Sequence, residues 1–128
     1  MILNSTTKKI QIILAAAKIT NDCPVVAAYV DYTSSATTAL TTLTNTNGLT
    51  AVDIVAAPGS STTRKINWIS ICNKDTDFIS VTVRLNDNGT TYNYTPGFSL
   101  APNSTLQYTD TRGWIVIDNY GSEQIASG

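Results

Sequence analysis

Histidine is absent from this 128-residue chain, and Glu123 is its only glutamate. Acid–base catalysis near neutral pH leans on His or on a Glu with a raised pKa, so the commonest proton-transfer machinery is missing. A nucleophile would have to take Lys as its base. Lys8, Lys9, Lys18, Lys65 and Lys74 all fall at strand edges or turns, where a solvated ammonium is the ordinary outcome. Cysteine is scarce: Cys23 and Cys72 are too few for a disulfide framework and read as free core thiols, and zinc would need ligands the chain lacks. Charge is thin and balanced. Eight basic against nine acidic residues leave a net charge of -1, which gives no electrostatic reason to bind nucleic acid, an anionic membrane or an acidic ligand. No stretch reaches the roughly eighteen apolar residues of a membrane-spanning helix.

Lys8 and Lys9, followed by IQIILAAA with Ala15 to Ala17, imitate a secretory leader. Gln11 interrupts that run, so Ile10, Ile12 and Leu14 alternate as they would in a strand, and a strand is expected here rather than a leader. The chain is therefore expected to be made in a cytoplasm, where the Asn-X-Ser/Thr triplets at Asn4, Asn88, Asn93 and Asn103 carry no glycan. Both chain ends, including the C-terminal SEQIASG, are expected to be held by a neighbouring subunit, because such ends fray unless tied down.

What the chain has in quantity is Ser, Thr and Asn, roughly a third of its residues. Thr favours strands and Asn favours turns, which predicts an all-β protein. Ile10 to Leu14 and Val25 to Tyr32 read as strands joined by Asn21, Asp22 and Pro24, a hairpin-like N-terminal β arm. Thr33 to Asn47 carries only Leu40 and Leu43 as apolar anchors and reads as an extended loop. Residues 1–49 are thus expected as arm and loop, and 50–128 as the sandwich core. In Arg64 to Asn73, alternation puts Ile66, Trp68 and Cys72 on one face and Ile69 and Ile71 on the other, so both faces require cover. Ile79, Val81, Val83 and Leu85 point inward from a half-exposed strand. Asn88-Gly89 then signals a tight hairpin into TTYNY. About eight short strands with turns every eight to twelve residues predict a single antiparallel β-sandwich, jelly-roll-like in pattern.

The remaining chemical candidates are weak. Asp75, Asp77, Asp87 and Asp110 sit in turns where they could offer oxygens to calcium, but Asp and Asn are also the default turn residues, and Asn caps about as well as Asp. Trp68 and Trp114 lie in the most apolar strands and are expected as core anchors. Tyr92 and Tyr94 alternate after the hairpin and are candidates for a glycan platform or for cross-strand packing. Partner-binding residues are therefore expected among Ile10, Ile12 and Leu14 of the arm, the surplus pair Ile69 and Ile71, and Tyr92 and Tyr94. No catalytic residue, metal or cofactor is expected.

In KIQIILAAA, TAVDIVAAPGSSTTRKINWISICNKDTDFISVTVRLNDNGTT and LQYTDTRGWIVID the chain resembles small virion structural proteins of tailed bacteriophages. The resemblance implies a β-sandwich of the capsid-decoration or cement type, with a tail- or fibre-associated protein as the alternative, often trimeric and without catalytic residues. It also implies partners among copies of itself and other virion proteins, with no nucleic acid or membrane, and assembly inside a bacterial cytoplasm.

Overall fold

A computed structural model of the chain describes residues 1–124. The elements are β1 (Ile2–Leu3), β2 (Lys8–Leu14), β3 (Pro24–Tyr32), β4 (Thr37–Asn45), β5 (Val52–Val55), β6 (Thr63–Cys72), β7 (Ile79–Asp87), β8 (Thr90–Asn93), β9 (Phe98–Leu100), β10 (Thr105–Thr109), β11 (Gly113–Ile117) and β12 (Glu123–Gln124). They form two packed antiparallel sheets, a β-sandwich. One sheet has seven strands in the order β12-β11-β10-β6-β3-β4, with β1 beside β6; the other has five in the order β5-β2-β7-β8, with β9 beside β7.

Two crossings between the sheets, β2 to β3 and β6 to β7, run side by side. As a result β2 pairs with β7 from Lys8↔Asp87 to Leu14↔Val81, while β3 pairs with β6 at the centre of the other sheet. Alternation then does the sorting. Ile10, Ile12 and Leu14 of β2 and Val81 and Val83 of β7 meet Val25, Ala27, Ile66, Ile69, Ile71 and Leu106 of the facing sheet, all of them buried. Each such aliphatic side chain contributes about 1.5–3 kcal/mol by leaving water.

Four expectations change here. The N-terminal segment is not an arm: β2 lies between β5 and β7 in the interior of its sheet, so Ile10, Ile12 and Leu14 pack on the protein's own core rather than on a partner. Its beginning is held by the same chain, because Ile66 N–H donates to the Met1 carbonyl at 2.9 Å and the Met1 nitrogen donates to the Tyr108 hydroxyl at 3.0 Å. The expectation for the other end lies partly outside the described residues. Thr33 to Asn47 is not a loop. Its Thr-rich run forms β4, paired with β3 through nine registered positions, because β-branched residues suit extended backbone even without an apolar face to bury.

The third change concerns β6. Its register with β3 passes from Ala28↔Trp68 to Tyr29↔Ile66, leaving Asn67 as an extra residue. This bulge resets the alternation, so Ile66 joins Ile69 and Ile71 inside while Trp68 and Cys72 point out. Ile69 and Ile71 are thus core residues and not a surplus face. The fourth is that Trp68, half-buried, is no core anchor, whereas Trp114 does pack on the core beside Tyr108, with ring centroids 5.1 Å apart. The expected hairpin forms as anticipated: Asp87 pairs with Thr90 around Asn88 (φ 52°) and Gly89 (φ 96°), the positive-φ pair of a type I′ turn.

Candidate functional site

The outer faces of the two sheets differ in chemistry. On the five-stranded sheet, β2, β5 and β7 turn Lys9, Gln11, Asp53, Arg84 and Asn86 outward. These side chains bond to one another: Lys9 Nζ and Gln11 Nε2 donate to Asp53 at 3.1 and 2.8 Å, and Asn86 Nδ2 donates to Gln11 Oε1 at 3.1 Å. Partial burial opposes ionisation of Asp53, but the bonds from Gln11 and Lys9 outweigh it and hold the carboxyl below its usual range. This face has its polar partners within itself.

The outer face of the seven-stranded sheet has few. From β4 to β11 its outward residues include Leu43; Val26, Ala28 and Val30; Trp68 and Cys72; and Ile115 and Ile117. Ser70, Gln107 and several Thr side chains lie among them. Lys65 is the one charged side chain that β3, β4, β6, β10 and β11 turn to this side, and Asp110 neutralises it at 2.9 Å. Leu43 is 77% exposed, and Tyr32 and Ile2 at the margin are also exposed. A sheet face this apolar and this poor in charge has the composition of an interface core.

One border of the face is β4. It pairs only with β3, and its nine residues TTALTTLTN contain no charge, proline or glycine. Seven of its side chains are exposed, so the strand overhangs the sandwich; Thr42 Oγ1, donating to the Ile54 carbonyl at 2.9 Å, is a tie to the sheet below.

The acidic candidates are engaged separately. Asp75 is buried at the β6–β7 crossing, where Oδ2 accepts from Ile19 N–H at 2.8 Å and Oδ1 from Thr20, Asn21 and Thr76 N–H at 2.8, 3.2 and 2.8 Å. The Ile19 bond first, and then the other three against the opposing effect of burial, hold this carboxyl far below the usual range. Asp77 caps Phe78 N–H, Asp87 accepts from Thr7 Oγ1 at 2.6 Å, and Asp110 serves Lys65. Among the described residues no three His, Cys, Asp or Glu side chains gather into a metal-binding group.

Beside Asp75, Asn73 is fully buried and donates to the carbonyls of Asp77 and Leu100, both at 2.9 Å, while its Oδ1 accepts Asp75 N–H. These two residues bolt three loops together at one end of the sandwich. At the opposite edge Arg64 grips Asp31 through two nitrogens at 2.7 and 2.9 Å and lies 4.5 Å above the Tyr29 ring. Sequence reasoning missed this half-buried pair, since nothing in the spacing of Asp31 and Arg64 announces that they become cross-strand neighbours.

Tyr92 is exposed on β8, but the chain bends after Asn93, so Tyr94 does not continue the strand and the two rings lack the shared extended backbone expected of them. Burial raises the Tyr94 phenol pKa, and Tyr108 adds to the effect. No protein-family model, curated protein or solved structure matches this chain.

Proposed function

We propose that this chain is a non-catalytic structural subunit of a bacteriophage virion, a capsid-decoration protein that assembles as a homotrimer and is made in the host cytoplasm. The observation that carries the reading is the apolar, nearly charge-free outer face of the seven-stranded sheet, centred on Trp68 and crossing β3, β4, β6 and β11. Water penalises such a surface in a free subunit, and contact with copies of itself or with a shell removes the penalty. Nested pairing of β2 with β7 and β3 with β6 supports the jelly-roll-like variant of the sandwich.

In this reading three copies gather their outer faces around a three-fold axis, and the self-bonded polar face of the other sheet stays toward solvent. Attachment is through the face centred on Trp68, since the N-terminal segment is part of the core. The test is to locate the subunit in a reconstructed particle. A position on the head with the Trp68 face covered supports the reading; a position in the tail replaces decoration by the fibre-associated alternative. A particle without the protein overturns both.

A further inference from the structure

The free edge of β4 is the second surface on which the sandwich is incomplete. An edge strand presents a row of unpaired N–H and C=O groups, and proteins blunt such edges by shortness, charge, proline or bulges. The other edge strands follow that practice: β5 and β8 have four residues each and β12 has two. The nine residues of β4 do not. Their register with β3 is unbroken, and no charge or proline interrupts the sequence. Beyond the ladder to β3, no backbone group of Thr37 to Asn45 has a hydrogen-bond partner among the described residues.

We propose that β4 pairs antiparallel with β4 of a second copy of this chain, joining two seven-stranded sheets edge to edge across a two-fold axis at Thr41. Two features favour a second copy over a foreign strand. The edge carries no charge, so a copy of itself meets no repulsion. Pairing about Thr41 sets Thr37 against Asn45, Thr38 against Thr44, Ala39 against Leu43 and Leu40 against Thr42, so each Leu faces a smaller side chain and neither Leu meets itself. Such pairing closes about eight to ten ladder hydrogen bonds, as many as a stable protein interface usually carries.

A two-fold axis normal to the sheet keeps both outer apolar faces on the same side, so the pairing does not compete with the trimer contact and links trimers into larger assemblies. The pairing rests on the edge and not on the virion reading, and it is best measured where the outer-face contact has been removed.

With Trp68→Lys as background, light scattering at about 100 µM is expected to give twice the 13.7 kDa chain mass. Adding Thr41→Lys or Thr41→Glu sets like charges together at the axis and is expected to give monomers; mixing the two variants restores the dimer. In a Cys72→Ser chain that keeps Trp68, oxidation is expected to cross-link Thr41→Cys to itself, because paired Cα atoms fall within disulfide range. Thr37→Cys, paired with Asn45, is not expected to cross-link. A monomeric Trp68→Lys protein overturns the proposal, as does a dimer indifferent to charge at Thr41 or a Thr37→Cys chain that cross-links as well as Thr41→Cys. The cross-linking arm reports on the edge even where the Trp68 variant misfolds.

Discussion

The two sheets expose outer surfaces built by the same alternation of side chains, yet one is closed on itself and the other is not. On the five-stranded sheet each long polar side chain reaches a neighbour: Lys9 and Gln11 bond Asp53, and Arg84 and Asn86 bond Gln11. On the seven-stranded sheet Val26, Ala28, Trp68, Ile115 and Ile117 have no such network, and the flanking β4 leaves one backbone edge unpaired. A sandwich needs only its two inner faces to fold. Apolar side chains on a third face are unnecessary for folding and cost solubility, so they point to assembly.

The sharpest way to break this contrast is to test which side of β6 is inside. Ile69→Ala is expected to lower stability by about 2–5 kcal/mol in denaturant titrations, whereas the adjacent Trp68→Ala, measured in dilute protein, is expected to lower it by about 1 kcal/mol or less. Equal losses would mean that the Asn67 bulge does not reset the strand and that the apolar outer face does not exist.

Asp75→Asn is expected to have the next largest effect. Asn presents one acceptor oxygen and an NH2 group toward donors that Asp75 now satisfies with two oxygens, so a melting temperature roughly 5–10 °C lower is expected. The pH response follows. A carboxyl whose folded pKa lies below its unfolded one adds stability above about pH 4, and that stability disappears as pH falls toward the folded value. Wild-type protein should therefore lose stability below about pH 4 more steeply than Asp75→Asn. Parallel acid curves would show that the four N–H bonds do not hold the carboxylate. At the small end, Lys9→Ala on the closed polar face should cost no more than about 1 kcal/mol, as exposed ion pairs do, and leave the mass unchanged. A change in oligomer mass there would assign assembly to the wrong sheet.

Much of the fold is legible in the sequence. Alternation in Ile79 to Leu85 and the Asn88-Gly89 turn specify β7, β8 and their connection, because period-two burial and positive φ are local properties. The Thr-rich β4 was hidden because loop composition and an exposed edge strand look alike when no face is buried. The inside of β6 was hidden because a one-residue bulge inverts alternation without altering composition. Asp75 looks like an exchangeable cap in the sequence because its donors come from Ile19, Thr20 and Asn21, more than fifty positions away. Alternation alone puts the second apolar face on Ile69 and Ile71 instead of Trp68 and Cys72, for the same reason.

If the outer face around Trp68 is the assembly surface, the oligomer mass depends on that side chain. Light scattering of the Thr41→Pro protein, whose free β4 edge loses a backbone donor while the outer face gains no charge, is expected to report three chains of 13.7 kDa, and adding Trp68→Lys is expected to reduce that to one with the melting temperature nearly unchanged. A Thr41→Pro protein that is already monomeric, or a trimer that survives Trp68→Lys, would contradict an assembly surface around Trp68.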